Sequence, residues 1–422
     1  MARAVAPIGT MVPVPAWPRS MATMGAGIAT ATSVRAPLLY RPEGDLPCAD
    51  RPESQDTKGP SCPGLAPKSP RTLPWPCKAG EGLFLRISSF KSLYDGYIRA
   101  RRGKRDNPEV ARFGANLEEN LINLQNHLIW GTWEPGPYES FEVTEPKRRM
   151  VNAPAFRDRV LHQSIYAHLS PICERVFIDH SYACRPAKGT HAGANRAQAL
   201  LRKVRRSQGT VYALKADISS YFDSIDHEVL KRLLRFRIQC PYTLWLCDTI
   251  IDTSPAACGI GLPLGNLTSQ LFANLYLHEL DHYVTRVLGM GNYVRYMDDW
   301  LIVDGSSDRL HEVLRLARDF LWRSLRLNLN RKTQVFPVGR TSGRALDFLG
   351  YKIWENHRAL RRRGVRKGFQ RARAFAKDPN PHNLDRLTSW YAHACHAEPV
   401  GMMRRIFETI QGEGGNVQPA NT

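Results

Sequence analysis

Acid is what this chain has too little of. Across 422 residues, 39 Asp and Glu stand against 59 Lys and Arg, a formal net charge of +20 with a pI near 9.8. A single-sign field of that size favours polyanionic partners, nucleic acid first, with a ribosomal or membrane surface as the bland alternatives. Long apolar runs are missing too. No stretch approaches about 20 uninterrupted apolar residues, which argues against a spanning helix. The nine cysteines include no CxxC pair, Cys240, Cys247 and Cys258 among them, which argues against a zinc site and for a reduced, intracellular protein.

Residues 1–80 hold 14 of the 29 prolines and show no sustained apolar period. Such a segment buries too little surface to offset its ordering entropy and is expected to be disordered. Its stretch before Glu43 has arginines and no acid, as in an organellar transit peptide, although its prolines oppose the amphipathic helix such peptides need. Upstream DNA translated from a misplaced start is a third reading. From about Leu83 the pattern is globular. "ISSFKSLYDGYIRARRGKRDNPEVARFGANLEENLINLQNHLIWGTW" predicts two helices around a basic loop, with Leu117, Leu121, Leu124 and Leu128 as a core stripe. "YESFEVTEPKRRMVNAP" alternates like a hairpin with Lys147, Arg148 and Arg149 at its turn. Further on come a strand ending near Asp217, a helix capped near Asp226, one long helix over "NLTSQLFANLYLHELDHYVTRVL", the run "NYVRYMDDWLIV", another amphipathic helix, and the strands "TQVFPV" and "DFLGYKIW". That order is the split βαβ of a ferredoxin-like sheet.

The chemistry concentrates in two places. Asp298 and Asp299 interrupt an otherwise apolar, β-prone run, where an unpaired carboxylate is costly to bury. "VYALKADISSYFDSI" climbs through apolar residues to Asp217 and breaks into a polar turn. Adjacent antiparallel strands would bring Asp217 within reach of Asp298. Clustered carboxylates repel one another unless a cation is present. Hard oxygen donors in basic surroundings suit Mg²⁺, and two such ions can activate a 3′-hydroxyl and stabilise leaving pyrophosphate. A near-match to a dinucleotide fingerprint, "GIGLPLG" around Gly259, Gly261 and Gly265, fails on spacing, on Pro263 and on the missing downstream acid. Its glycines are expected to let backbone approach a nascent base pair.

From about residue 85 to 400 the chain resembles reverse transcriptases. The resemblance rests on Tyr296-Met297-Asp298-Asp299, on Asp217 with Phe222 five residues on, and on "LNLNRKT", "DFLGYKI", "KRRMVNAPAFRDRVLHQSI" and "SYACRPAKGTHAGANRAQAL". Within that family, Leu264-Gly265-Asn266-Leu267-Thr268-Ser269-Gln270 stands where most members carry Gln-Gly-x-x-x-Ser-Pro. Leucine first and glutamine last, with "SWYAHACHA" near the C-terminus, are similar to diversity-generating retroelement enzymes. Group II intron and defence-associated enzymes, or an inactive polymerase-fold RNA-binding scaffold, are the alternatives.

The resemblance implies an α+β right-hand polymerase: a disordered extension over 1–80, basic fingers over 81–210, a ferredoxin-like palm over 211–355, a short helical thumb over 356–412 and a disordered tail over 413–422. It implies RNA-templated DNA synthesis with two Mg²⁺ ions on Asp217, Asp298, Asp299 and the Ile218 carbonyl. Lys147 and Arg149 would hold the deoxynucleotide triphosphate, beside an anion-binding turn over Ile218, Ser219, Ser220, Tyr221 and Phe222. Phe222 would exclude a ribose 2′-hydroxyl, Lys332 would face pyrophosphate, and Leu264 and Gln270 would border the nucleotide pocket. Arg157, Arg185, Arg361, Arg362 and Arg363 would grip the template RNA and the cDNA primer duplex. Trp300 is expected to pack. A basic accessory helical-bundle protein, a template-repeat RNA copied with errors at adenines, a cytoplasmic prokaryotic or phage setting and no membrane partner complete the implication.

Overall fold

The computed structural model describes residues 82–144, 148–253, 259–341, 343–397 and 400–414. Lys147 and the two terminal segments expected to be disordered lie outside them, save that residues 413 and 414 close the last helix. The first described elements are α1 (Gly82–Ser88), α2 (Phe90–Ala100), α3 (Pro108–Ala115) and α4 (Leu117–Ile129). Two helices were expected from Ile87 on; α2 is the first, set off by Ser89 from α1 before it, and the second is divided into α3 and α4. Ser89 turns extended and caps α2 by accepting from Ser92 N at 3.3 Å; Asn116 leaves helical geometry between α3 and α4. The leucine stripe does face the core, with Leu121, Leu124 and Leu128 buried and Leu117 packed at its edge.

β1 (Glu139–Val143) and β2 (Arg149–Ala153) form the expected hairpin, Glu139 opposite Ala153. α5 (Phe156–Glu174) and α6 (Thr190–Gln208) lead into β3 (Tyr212–Ala216). After a 3-10 turn over Tyr221–Ser224, α7 (His227–Arg235) starts at Asp226, whose carboxylate accepts from Val229 N at 3.0 Å. α8 (Pro241–Asp252) and α9 (Leu267–His282) follow, then β4 (Tyr293–Tyr296), β5 (Asp299–Asp304), α10 (Ser307–Leu325) and β6 (Gln334–Pro337). The long apolar helix ends in a π-helical turn, Tyr283–Val287.

The sheet order β4-β5-β3-β6, antiparallel throughout, is that of a split βαβ. The sheet is buried on both faces, which is why its strands read as nearly continuous apolar runs rather than alternating ones. Leu214, Ala216, Tyr293, Trp300 and Ile302 face a core shared with α9 and α10; Ala213, Val294, Leu301, Val303 and Phe336 face a second core shared with α6 and the C-terminal helices. From Leu271 to His282 every residue of α9 is buried. Thr268 in its first turn is met from α5: His162 lies 2.6 Å from Thr268 Oγ1, and burial pushes the imidazole down to about 4, so it stays neutral.

"DFLGYKIW" is not one strand. It folds into β7 (Leu346–Phe348) and β8 (Tyr351–Ile353), joined through Leu349 and Gly350 at φ +51° and +91° and extended by β9 (Arg358–Leu360). Two left-handed residues in succession are what a tight two-residue hairpin requires. α11 (Arg362–Lys377), α12 (Pro381–Ala394) and α13 (Val400–Gly414) close the described chain.

Candidate active site at the ends of β3, β4 and β5

Register builds the site. β3 pairs with β5 so that Ala216 lies opposite Trp300, and β4 pairs with β5 so that Tyr296 lies opposite Asp299. Asp217 therefore leaves β3 at the same sheet end as the β4–β5 turn. The aspartate pair is not inside a strand: Met297 and Asp298 form a two-residue hairpin tip, and Asp299 opens β5. Met297 sits at φ +55°, a region that costs a non-glycine residue about 1–3 kcal/mol and persists only where its surroundings enforce it.

Asp217 and Asp298 come within hydrogen-bond reach of each other's carboxyl groups. Burial first, then the Asp217 charge, raises Asp298 to about 6, while Arg149 pulls it back down. Burial raises Asp299 to about 6 as well, against the opposing pull of Lys215. Lys215 Nζ stands 2.9 Å from Asp299 Oδ1, an ion-pair contact whose angle does not make a hydrogen bond of that buried oxygen. The expected group of three acids is thus two facing carboxyls and a third turned to a lysine. Among the described residues no three His, Cys, Asp or Glu side chains gather as a ready metal cluster. The donor set still fits Mg²⁺, which is commonly held by one or two carboxylates with water and substrate phosphate rather than by an all-protein cage.

The segment after α10 supports Asp217. Ile218 bridges Leu329, with Asn330 N donating to Asp217 O at 2.7 Å and Ser219 N donating to Asn328 O at 2.9 Å. Asn330 Nδ2 donates to Asp217 Oδ2 at 3.3 Å, and its Oδ1 accepts from Lys332 N at 3.0 Å. Sequence reasoning missed Asn330, although it lies in "LNLNRKT" two residues before Lys332. Lys332 itself is exposed.

Other expected residues fall into place unevenly. Arg149 is exposed at the start of β2, and its charge reaches Asp298. The anion-binding turn is narrower than expected, because the Ser219 amide is spent on Asn328; Ser220 is left-handed at φ +44°, and buried Tyr221 donates its hydroxyl to Ala273 O. Phe222 is half-buried, edge-on to Tyr221, and its carbonyl accepts from Leu262 N. Leu264 O accepts from Asn152 N at 2.8 Å, which ties the β1–β2 hairpin to the loop before α9. Gly265, at φ +121°, approaches that same hairpin: an added Cβ would stand 2.9 Å from Asn152 O. Gln270 is half-buried in the first turn of α9.

The two arginines expected on template phosphate both make contacts within the protein. The Arg185 side chain is 6% exposed, holding Glu174 and the carbonyls of Ile178 and Ser181. Arg157 reaches Asp158 at 3.2 Å and Glu134 O at 2.6 Å. Arg361 pairs with Asp347. Arg362 and Arg363 are exposed in the first turn of α11, which has no acid. Cations there oppose the helix dipole, so that helix end gains nothing from them by itself. Trp300 is fully buried, as expected.

Facing carboxyls at adjoining strand ends, with cations near them, suit metal-assisted phosphoryl transfer, the chemistry of nucleic-acid polymerases among others. The reverse transcriptase (RNA-dependent DNA polymerase) family profile matches residues 142–353, just over half of the chain and all three aspartates. The chain belongs to that family and is by class an RNA-directed DNA polymerase. It is similar to Protein YkfC of Escherichia coli (strain K12), 27% identical over 280 residues, 57% of this chain and 72% of that one. It is also similar to the group II intron-encoded protein LtrA of Lactococcus lactis subsp. cremoris, 29% identical over 180 residues, 40% of this chain but only 29% of LtrA. Among solved structures, telomerase from Candida albicans aligns with a TM-score of 0.42 at 11% identity, covering 67% of this chain and 57% of that one.

Proposed function

We propose that this protein copies RNA into DNA, with fingers made by α1–α6 and the β1–β2 hairpin, a palm built on the four-stranded sheet, and a thumb made by α11–α13. The observation that carries the reading is the strand register that brings Asp217 and Asp298 to one sheet end, where the charge of Arg149 also acts on Asp298. Asp217 and Asp298, with the Ile218 carbonyl, would hold Mg²⁺, and Asp299 would join them on release from Lys215. When bound, the metal lowers the pKa of the primer 3′-hydroxyl and offsets charge on the leaving pyrophosphate. The chain's own residues do the rest. Arg149 and Lys147 draw the triphosphate to the carboxylates, Phe222 walls the sugar, and the basic first turn of α11 grips duplex backbone. Template RNA, primer duplex and deoxynucleotides are the substrates.

We place the enzyme in the diversity-generating subclass, making error-prone cDNA from a template-repeat RNA with a basic helical-bundle partner. What supports this is Leu264, which has neither donor nor acceptor where a glutamine usually stands. A hydrogen bond made only in correct geometry discriminates by about 1 kcal/mol or more, so a leucine pocket checks shape alone. The likeness to LtrA favours a second reading, a group II intron-type enzyme. Sequencing cDNA made from one RNA by the wild type and by Leu264→Gln decides between them. Errors concentrated opposite adenine, and reduced in the variant, support the first reading; equal, low error spectra support the second.

A further inference from the structure

Among the described residues, the largest fully buried charged side chain lies three residues before Asp298. Arg295 on β4 and Asp281 on α9 are both 0% exposed. They pair side-on, Nε to Oδ1 at 2.6 Å and Nη2 to Oδ2 at 2.7 Å. Arg295 Nη1 then donates to Asn274 Oδ1 and to Met297 O, each at 3.1 Å, and Nη2 donates to Asn274 O at 3.5 Å. A guanidinium has five N–H donors, and every one of them is used. Tyr293 OH donates to Asp281 Oδ1 at 2.8 Å, and Asn274 Nδ2 donates to Ala183 O at 2.9 Å.

Stability does not explain this arrangement. A buried ion pair commonly contributes nothing over well-packed apolar residues of the same volume, because desolvation offsets the attraction. What apolar residues cannot supply is a donor aimed at the Met297 carbonyl. That carbonyl belongs to the peptide linking left-handed Met297 to Asp298, so fixing its plane fixes the direction in which Asp298 leaves the hairpin.

We infer that Arg295, aimed by Asp281 and Asn274, is a positioning residue that holds the Met297–Asp298 peptide and so sets the Asp298 carboxylate for metal binding. The inference rests on the polymerase reading and deepens it. α9 thereby carries a catalytic constraint from its buried interior to the sheet end.

The test replaces the cluster by apolar groups, Tyr293→Phe with Asp281→Leu and Arg295→Met. This triple variant should still fold, since the ion pair itself adds little over apolar packing, even though the Asn274 and Met297 acceptors lose their donor. Mn²⁺ affinity, read by electron paramagnetic resonance without substrate, should fall by about 10–100-fold, as when a group orienting a metal ligand is lost. The rate at saturating primer–template should fall with it, while KM for primer–template stays within about twofold, since basic surface supplies that affinity. Unchanged Mn²⁺ affinity in the folded variant would overturn the inference. Should the triple variant not fold, Asn274→Ala reads the same quantity: weakened Mn²⁺ binding supports the clamp and wild-type binding refutes it. Absence of RNA-templated extension by the wild type would instead overturn the polymerase reading, so the two failures are distinguishable.

Discussion

Asp298 shows at the scale of one residue how function opposes stability. Its carboxyl is raised from 3.8 to about 6 by burial and by Asp217, so folding favours the protonated form. The contribution to stability is present in full below the unfolded pKa and is lost as pH rises through about 6. Asp298→Asn carries no charge at any pH. The metal-free variant should therefore melt above the wild type at pH 7–8, by up to about 3 kcal/mol at 1.36 kcal/mol per pKa unit, with the gap closing below pH 4. Adding Mg²⁺ should raise the melting temperature of the wild type and not of the variant. Thermal melts at both pH values, with and without Mg²⁺, check this; a variant less stable at pH 8 would mean that the carboxylate is not strained. Asp298 and Asp217 were legible in the sequence because a charge inside an apolar run announces its own expense. Arg295 stands in the same run, yet its partner Asp281 is on a helix whose burial no local pattern shows. The internal contacts of Arg185 and Arg157 were hidden for a related reason: sequence gives the charge of an arginine but not the carbonyls and carboxylates it meets.

Elements fix where those residues meet. The β1–β2 hairpin carries Arg149 toward Asp298, and its docking onto the loop before α9 passes through Asn152 and Leu264. Gly265 makes that approach possible, since a Cβ would stand 2.9 Å from Asn152 O on backbone already at φ +121°. Gly265→Ala should therefore destabilise by about 1–3 kcal/mol and raise KM for deoxynucleotides more than it lowers kcat, because Arg149 moves with the hairpin. Denaturant melts and steady-state kinetics check both; unchanged KM would separate the hairpin from nucleotide binding. Strands, helix order and the Asp226 cap were readable because period and cap chemistry are local. The breaks at Ser89 and Asn116, and the Leu349–Gly350 hairpin, were not, because the flanking apolar periodicity continues across them. The gap between Gly265 and Asn152 is a long-range fact of packing.

For the whole molecule the governing quantity is charge. With a net +20, RNA affinity should come chiefly from counterion release and weaken steeply with salt, by about a thousandfold between 50 and 200 mM if six or more phosphates are contacted. Asp298→Asn should leave that slope unchanged, since it alters chemistry and not the basic surface. Filter binding across salt concentrations checks this, and a flat profile would show that binding is not led by phosphate contacts. Composition made this property readable from the start, since it needs no fold at all.

The most direct measurement is primer extension on an RNA template with deoxynucleotides, comparing wild type, Asp217→Asn and Asp298→Asn in Mg²⁺ and in chelator. Wild type should extend in Mg²⁺ and stop in chelator, and both variants should bind the RNA yet fail to extend, having lost several kcal/mol of transition-state stabilisation. Extension at the wild-type rate by either variant would contradict the assignment of the Asp217–Asp298 pair as the catalytic centre.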